Sequence, residues 1–390
     1  MERIVVVDGA RTPVGSFGGM FSDVPGFELG ATAVRAALAR AGVGGSDVSE
    51  VVMGCIGQVG ADAYNARRVA VAAGLPAAVP AYTVNRLCGS GLQAVWSAAM
   101  EMRWNDLDIT LAGGDESMSR MPFYDFGARN GYRLGDRTLS DGTVMMLTDP
   151  FHGIHMGVTA ENVAERYAVS RTEQDEFAAE SQRRAATAAA QAAFAEEIVP
   201  VEVGGRRPFT ADRDEHPKPE TTVETLAALR PAFQRNGSVT AGNASGINDG
   251  AAALVLARES AAAERGLAGL VCLEAVATAA MEPELMGYAP VLALRSLFER
   301  TGTRPSDIGT IELNEAFASQ AVAVVRDAGL DPDRVNPYGG AIALGHPVGA
   351  TGAILTLRVA KDMVRRDLEL GVVTMCIGGG QALAALFRRV

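Results

Sequence analysis

The chain contains one pattern twice, and this repeat constrains its fold more than any other feature. Residues 46–54 are echoed by residues 306–314 near the other end of the chain. Each copy is followed by a Val-Asn pair, a Gly-rich loop and a helix-forming stretch, and each half then closes with an apolar run that ends in glycines. Solenoid repeats span only about 20 to 50 residues, so this longer period predicts a duplicated domain.

Both halves alternate strand-like and helix-like segments. Apolar runs at residues 4–7 and 271–275 predict strands, and Ala/Leu-rich stretches at residues 28–41 and 290–299 predict helices. This alternation is typical of β-α-β units, and continuous apolar strands predict sheets that are buried on both faces. We therefore expect an α/β fold.

The middle of the chain, about residues 117–246, breaks this alternation. It has loops rich in Gly, Asp and aromatic residues, followed by a predicted polar helix over residues 170–193. A long irregular insertion in a compact domain is usually functional. We predict an N-terminal half over residues 1–117 that is completed by about residues 247–266, a loop domain over 118–246, and a C-terminal half over 267–390.

Composition and charge exclude several classes of protein. A hydrophobic content of 48% with 21% charged residues is that of a globular chain that can bury large cores. A net charge of -11 opposes nucleic-acid binding, which needs a basic face. No apolar stretch reaches the roughly 20 residues of a membrane span, and the N-terminal apolar run is too short for a signal peptide. We expect a cytoplasmic protein with no nucleic-acid or membrane partner.

The cysteines and histidines do not form a metal-ligand pattern. The four cysteines are too few for a disulfide framework, and none forms a CxxC pair or a Cys/His cluster with zinc-ligand spacing. His152 and His155 lie close in sequence but lack a carboxylate or a third ligand at suitable spacing. We expect reduced thiols and no metal, with Cys55 and Cys272 as packing residues.

Cys88 lies in a glycine loop, where a thiol can face a ligand. It precedes Gly89 and Gly91 at a predicted helix start, so the helix dipole and free backbone N–H groups would favour its thiolate. The glycines also let a carbonyl compound approach closely, and the Cys88 N–H could stabilise an oxyanion. A cysteine that merely packs beneath the helix would give the same local sequence.

Three residues of the second half could complete such chemistry. His346, in a Gly-His-Pro loop, occupies the loop equivalent to that of Cys88, and a histidine beside a cysteine can remove its proton. Cys376, in a second glycine loop, could exchange a proton with carbon or sulfur if its pKa lies near working pH. Asn314 ends the repeated strand and could hold a water or a carbonyl. A structural histidine and a buried thiol at a strand end are the alternative interpretations of His346 and Cys376.

With these residues in place, the chain resembles the thiolases, the acetyl-CoA C-acyltransferases, essentially from end to end. The resemblance rests on seven motifs, at residues 9–13, 85–91, 157–162, 240–246, 314–317, 345–347 and 376–378. It implies the thiolase fold, in which duplicated βαβαβ halves form a five-layered αβαβα core with an inserted loop domain. It also implies acyl-CoA and coenzyme A as substrates, no bound cofactor, and a place in fatty acid metabolism.

The resemblance also assigns roles to the candidate catalytic residues. It implies that Cys88 is the acylated nucleophile, that His346 activates it and that Cys376 is the general acid/base. Asn314 would hold a water that binds the thioester oxygen together with His346 Nε2. The N–H groups of Cys88 and Gly378 would form a second oxyanion hole.

Substrate contacts follow from the same resemblance. Ser245 matches a pantetheine contact, whereas Lys218 and Thr225 replace the usual Arg and Ser near the nucleotide end of coenzyme A. Lys lacks the planar fork of Arg, so this contact can differ in geometry. The remaining substrate-side positions, most of which match the short-chain acyl pocket, are Leu147, His155, Met286, Ala316 and Phe317.

Two departures from the family pattern bear on substrate choice. Arg86 replaces the Gln of acetoacetyl-specific members and resembles the broader β-ketothiolases, while Tyr288 is bulkier than the residue usual at its place and could narrow the pocket. We predict a thiolase for acetoacetyl-CoA and modestly longer 3-ketoacyl-CoA. The rival functions are a ketosynthase-like acyltransferase, which would need a second His where Cys376 stands, and a catalytically silent CoA-binding subunit. Members of this type are homotetramers, dimers of dimers tied through a segment that corresponds to residues 121–156.

Overall fold

The first half folds into the predicted β-α-β units. The computed structural model describes residues 2–390. The helix over Gly26–Ala41 buries Leu29, Val34 and Leu38 along one face, as the spacing of an amphipathic helix requires. The strands are β1 (Ile4–Arg11), β2 (Gly15–Ser16), β3 (Glu50–Gly54), β4 (Ala81–Val84) and β5 (Ile109–Ser117), and the helices are α1 (Gly26–Ala41), α2 (Asn65–Ala72) and α3 (Ser90–Asn105).

An insertion of short strands and helices follows β5. The single helix predicted over residues 170–193 is wrong, because the hydroxyl of Thr187 accepts the N–H of Ala190 and caps a new helix. The strands are β6 (Phe123–Tyr124), β7 (Ser140–Asp141), β8 (Thr148–Asp149), β9 (Ile154–His155), β10 (Val201–Val203) and β11 (Phe209–Ala211). The helices are α4 (Gly142–Met146), α5 (Met156–Arg166), α6 (Arg171–Ala185), α7 (Ala188–Glu197) and α8 (Val223–Ala227).

The chain then returns to the first sheet and builds the second half. The strands predicted at residues 4–7 and 271–275 and the helices predicted at 28–41 and 290–299 are confirmed, each within a somewhat longer element. The remaining elements are β12 (Asn248–Arg258), α9 (Glu259–Glu264), β13 (Val271–Ala280), α10 (Ala289–Thr301), β14 (Thr310–Leu313), α11 (Ala318–Asp327), α12 (Ala341–Leu344), α13 (Thr351–Arg365), β15 (Leu370–Ile377) and β16 (Gln381–Arg389).

The strands of the two halves meet edge to edge. Their order is β14-β15-β16-β13-β1-β12-β5-β3-β4, and the halves join where Val5 and Val6 of β1 pair with Cys272 and Val271 of β13. Strand β3 runs parallel to β4 and β5, and β14 runs parallel to β15. The sequence repeat is therefore also a repeat of strand pairing.

This pairing makes two buried residues equivalent. The first residue of β3 faces Thr110, and its repeat equivalent, Thr310, faces Gly371. Asp115 lies five residues after Thr110 on β5, and Cys376 lies five residues after Gly371 on β15. Asp115 and Cys376 therefore occupy equivalent positions in the two halves. Both residues are buried.

Helices cover both outer faces and fill the space between the sheets. Leu92 and Met102 of α3 and Leu357 of α13 pack between the inner faces, while α1 and α2 cover the first sheet and α10 and α11 cover the second. The five-layered αβαβα core is confirmed. Truncation of a side chain such as Leu92 to Ala would cost about 2–5 kcal/mol. Within residues 2–390, no helix has the length and apolar character that crossing a bilayer requires.

Candidate active site

The starts of α3 and α13 cross in the middle layer at glycines. A Cβ atom on Gly91 would lie 2.7 Å from the backbone nitrogen of Ala353, and one on Gly352 would collide with the backbone of α3. Only glycine permits so close an approach. The crossing brings the loop that holds Cys88, before α3, beside the loop that holds His346, before α13.

Cys88 lies two residues before α3, and two backbone donors point at its sulfur. These are the N–H groups of Gly378 and of Cys88 itself, the pair predicted to form an oxyanion hole. They lower the pKa of the thiol, but burial outweighs them and raises that pKa to about 11. The prediction that the helix start yields a thiolate is therefore wrong for the free protein. The resting group is a thiol, so a base must take its proton.

His346 is held by three side chains. Its Nδ1 lies 2.6 Å from the hydroxyl oxygen of Thr351, its Nε2 lies 3.4 Å from Asn314 Nδ2, and its backbone N–H donates to Asn248 Oδ1 at 2.8 Å. Burial lowers the pKa of His346 to about 4, so the ring is neutral at neutral pH.

Thr351 determines which ring nitrogen of His346 carries the proton. The Thr351 hydroxyl donates to the carbonyl oxygen of Pro347 at 2.9 Å, so its oxygen accepts from the Nδ1–H of His346. This leaves a lone pair on Nε2, which accepts only a long contact from Asn314 Nδ2 at 3.4 Å. A neutral histidine in this form can act as a base toward a nearby thiol.

Cys376 ends β15 in a dry environment beside Cys88. Burial and the nearby charge of a Cys88 thiolate raise the pKa of Cys376 well above its usual range. It packs in one apolar cluster with Met286, Ala316 and Phe317. A buried neutral thiol at this place can give a proton to a carbanion that forms next to it.

Asn314 has one buried amide atom without a partner. Its Oδ1 makes no hydrogen bond within the described part of the chain. A buried amide oxygen without a partner is unfavourable unless a water or ligand reaches it. The water predicted at Asn314 would satisfy this atom.

Most of the predicted substrate residues gather around Cys376. The N–H of Ser245 donates to the carbonyl oxygen of Ala316 at 3.0 Å, which joins the predicted pantetheine loop to the loop of Phe317. His155 stacks on Phe233 at 4.9 Å between ring centroids, and Phe233 packs against the apolar cluster of Cys376. Leu147 is half-buried and accepts the N–H of Met156 at its carbonyl oxygen.

Lys218 and Thr225 lie outside this group. Both are exposed. The backbone N–H of Lys218 donates to Gln182, and the hydroxyl of Thr225 donates to the carbonyl oxygen of Thr222 in the cap of α8. Their side chains are therefore available to a ligand at the protein surface and do not belong to the buried cluster of Cys376.

An apolar cavity of about 630 Å³ opens on the other side of Gly378. Its lining includes Leu87, the residue before Cys88, and Gly378, whose N–H points at the Cys88 sulfur; a Cβ atom on Gly378 would lie 3.3 Å from Met156. Met156 thus stands between this cavity and the cluster of Cys376. Other lining residues are Met121, Tyr124, Met146 and Phe151.

Tyr288 and Arg86 do not line this cavity. The ring of Tyr288 stacks on Tyr167 at 3.7 Å, and its hydroxyl donates to Asp327. The expectation that Tyr288 narrows the pocket is therefore wrong, since α10 begins there and its side chain packs on α5 and α11. The guanidinium of Arg86 donates to Gln93 on the surface of α3.

The sequence interpretation missed two polar residues that hold the His346 loop, Thr351 and Asn248. Thr351 begins α13, and a hydroxyl one helical turn after a Gly-His-Pro loop was the available signal. Asn248 begins β12, far from His346 in sequence, and nothing local marks its contact. Among residues 2–390, no group of three or more His, Cys, Asp or Glu side chains is arranged to hold a metal ion.

Comparison with known proteins places this geometry among related chains. A family model described as "Thiolase, N-terminal domain" matches residues 4–260, and one described as "Thiolase, C-terminal domain" matches residues 267–389. The beta-ketothiolase BktB of Cupriavidus necator is 50% identical over 100% of both chains, and an acetyl-CoA acetyltransferase of Thiocystis violacea is 44% identical over the same share.

Solved structures show the same similarity. The crystal structure of the Bacillus anthracis acetyl-CoA acetyltransferase has a TM-score of 0.98 and 40% identity, covering 100% of this chain and 99% of that one. The crystal structure of human mitochondrial 3-ketoacyl-CoA thiolase has a TM-score of 0.97 and 38% identity over the same shares.

Proposed function

The chain belongs to the thiolase family, and we propose from its site that it makes and cleaves short-chain 3-ketoacyl-CoA through an acyl group carried on Cys88. It is an acyltransferase that exchanges acyl groups between carbon and coenzyme A. One observation carries the proposed division of labour: the close crossing of α3 and α13 sets the loop of the neutral His346 beside the loop of Cys88, and the buried Cys376 thiol lies near the Cys88 sulfur.

In the cleavage direction, the first step transfers the acyl group to Cys88. The Cys88 thiol gives its proton to His346 Nε2 as its sulfur attacks the 3-keto carbon. The bond between C2 and C3 then breaks, and the Cys376 thiol protonates C2 as acetyl-CoA leaves. Burial makes the Cys88 thiol a weak acid and the His346 ring a weak base, so attack of the sulfur assists the transfer of its proton.

Coenzyme A completes the second step. Its thiol returns a proton to Cys376, and its sulfur attacks the acyl carbonyl on Cys88. The Cys88 sulfur leaves and takes back the proton held by His346. Condensation is the reverse sequence, in which the Cys376 thiolate removes a proton from C2 of acetyl-CoA.

Two sets of donors would stabilise the oxyanions of these steps. The N–H groups of Gly378 and Cys88 already converge on the sulfur, so an acyl oxygen on that sulfur lies within their reach. The protonated Nε2 of His346 and a water on Asn314 Oδ1 would bind the thioester oxygen of the enolate. Removing one such donor typically slows a reaction by about 100- to 1,000-fold.

The cavity beyond Gly378 supports an acyl chain longer than that of acetoacetyl-CoA. Its methionines are flexible and apolar, which suits chains of variable length. The 50% identity to a beta-ketothiolase supports the same substrate range. We place acetoacetyl-CoA and modestly longer 3-ketoacyl-CoA among its substrates, with coenzyme A contacts at Ser245, Lys218 and Thr225.

We further propose a homotetramer that works in the cytoplasm. The segment of residues 121–146 carries large apolar side chains at its surface, including Leu134, which is 100% exposed, and Phe126, which is 70% exposed. Large exposed apolar side chains concentrated in one segment are typical of a protein interface. Sedimentation of the wild type and of Leu134→Asp measures the oligomeric state and tests the tetramer. The four free thiols support a reducing compartment such as the cytoplasm.

A direct assay tests the function. Pure, reduced protein should cleave acetoacetyl-CoA in the presence of coenzyme A, and Cys88→Ser should lose nearly all of this activity. Incubation with labelled acetyl-CoA should leave an acetyl group on Cys88 that peptide mass spectrometry can locate. Label on another residue, or no cleavage by the wild type, would overturn the proposal.

A further inference from the structure

Glu116 is a fully buried carboxylate that the steps above do not use. It lies near the end of β5, next to Asp115, the residue equivalent to Cys376. Its Oε2 accepts the N–H groups of Ile56 and Gly349, each at 3.0 Å, and its Oε1 accepts the N–H of Gly57 at 2.8 Å. The Cys55 thiol approaches Oε1 at 3.7 Å.

These donors belong to the loops on either side of the active site. Gly349 lies between His346 and Thr351 in the loop before α13. Ile56 and Gly57 follow β3, whose last residue, Gly54, packs against the start of α3 just after Cys88. Gly349 also has no room for a side chain, because a Cβ there would lie 2.6 Å from Glu116 Oε2. One carboxylate therefore joins the supports of both catalytic loops.

The ionised form of Glu116 suits these contacts best. Three N–H groups donate to its two oxygens, so an amide in its place would bring one N–H against another. Charge-assisted bonds of this kind are about twice as strong as neutral ones. The contacts thus favour a negative charge in the dry middle of the molecule.

That charge also acts on Cys88. Burial is the main cause of the raised pKa of the Cys88 thiol, and the charge of Glu116 adds to it; burial also raises the pKa of Glu116 itself to about 7. The other titratable groups around this carboxylate are Asp115 on the same strand, Cys55 after β3, Asp62 and Arg68 before and within α2, and Arg120 after β5. A polar cavity of about 230 Å³ lies against Asp115 and Glu116.

We propose that Glu116 is a positioning residue that, as a carboxylate, fixes the His346 loop against the Cys88 loop. This rests on the proposed role of Cys88 as nucleophile. Glu116 touches no substrate atom in this proposal and acts through the loops that it joins. In the second half the equivalent strand end carries Cys376, the proposed acid/base. In the first half the strand end carries Glu116, which holds the two loops in place.

The test measures alkylation of Cys88 by iodoacetamide as a function of pH, with the adduct located by peptide mass spectrometry. In Glu116→Gln we expect the alkylation curve to move to lower pH than in the wild type, because a charge that disfavours the thiolate is gone. We also expect kcat for acetoacetyl-CoA cleavage to fall by about tenfold or more, with KM for coenzyme A little changed, because loop geometry is disturbed.

Two further variants separate charge from geometry. Glu116→Asp keeps the charge but shortens the reach, so kcat should fall while the alkylation curve stays near that of the wild type. Glu312→Gln removes another buried carboxylate, one that contacts Arg358 and neither catalytic loop, and should leave the curve unmoved. If Glu116→Gln does not fold, the kcat of Glu116→Asp still tests the proposal.

The outcomes are decisive and distinct. An alkylation curve in Glu116→Gln that stays at the wild-type position, or a Glu116→Asp variant with wild-type kcat, overturns the positioning role. Failure of the wild type to cleave acetoacetyl-CoA overturns the proposed function instead, and the alkylation measurement does not depend on that activity.

Discussion

The Nδ1 atom of His346 lies 2.6 Å from the hydroxyl oxygen of Thr351, five residues further along the chain. Because that hydroxyl donates its own proton to Pro347, it can only accept from the ring. Thr351 therefore sets the tautomer of the proposed base, although it touches no substrate.

Replacement of Thr351 by Val should lower kcat without unfolding the protein. Val keeps the shape but removes the acceptor, so His346 can place its proton on Nε2 and lose its basic lone pair. General base catalysis contributes about 100- to 10,000-fold, and we expect at least a tenfold loss in acetoacetyl-CoA cleavage. Thr351→Ser keeps the acceptor and should stay within a fewfold of wild type. Equal kcat in the Val variant and the wild type would show that Thr351 does not set the tautomer.

Cys376→Ala should abolish proton exchange at carbon while leaving Cys88 reactive. NMR of acetyl-CoA in deuterated buffer measures the exchange of its C2 hydrogens, which requires the proposed acid/base. We expect at least a 100-fold loss of exchange, within the range for a general acid/base, with iodoacetamide still modifying Cys88. Cys272→Ala, a buried cysteine of β13 far from the site, is the matched control. If C2 exchange survives in Cys376→Ala, another group must move this proton.

Met146→Trp should shorten the range of acyl chains. A larger ring would fill part of the apolar cavity beyond Gly378, and overpacking excludes the far end of a longer chain first. The ratio of kcat/KM for 3-ketohexanoyl-CoA to that for acetoacetyl-CoA should fall about tenfold, as pocket contacts of this size allow. Met100→Trp adds the same ring on an exposed part of α3 and should leave the ratio unchanged. If the ratio is unchanged in Met146→Trp, the acyl chain does not bind in this cavity.

Asp115→Asn should stabilise the protein at alkaline pH. Burial raises the pKa of Asp115 in the folded state to about 8, from its ordinary 3.8, so the folded protein binds this proton more tightly than the unfolded chain. Its contribution to stability is therefore present at low pH and is lost as pH rises between these two values.

Urea unfolding at pH 5 and pH 8 measures this effect. The free energy of unfolding of Asp115→Asn should gain roughly 2–3 kcal/mol on that of the wild type between the two pH values, about half of what the full pKa difference allows. Asp136→Asn, in an exposed loop, should show no such gain. A difference between Asp115→Asn and wild type that does not grow with pH would mean that Asp115 is ionised in the folded protein.

The repeat made the layers of the fold predictable, and the glycine loops pointed to the candidate catalytic residues. Cys88, His346, Asn314 and Cys376 stand near strand ends or before helix starts, where local sequence and the duplication both point to them. An irregular middle segment was also predictable, because its composition breaks the alternation on which the prediction rests.

The contacts between distant segments were not predictable in this way. Asn248 meets His346, and Glu116 meets Gly349, across the interface of the two halves, and no local pattern encodes such a pairing. The protonation state of Cys88 was wrong for the same reason, since helix-dipole arguments apply to an exposed thiol and burial by the other half outweighs them. The orientation of Tyr288 likewise depends on Tyr167, which belongs to the insertion.

The glycine crossing of α3 and α13 limits which sequence changes the fold tolerates. Each half contributes one of the two inner helices and buries the other, so neither half has a complete core of its own. A substitution at Gly91 and one at Gly352 damage the same contact from opposite ends. The two halves share one sequence pattern, but each half depends on the other for its core. Loss or exchange of one half should therefore destabilise the other.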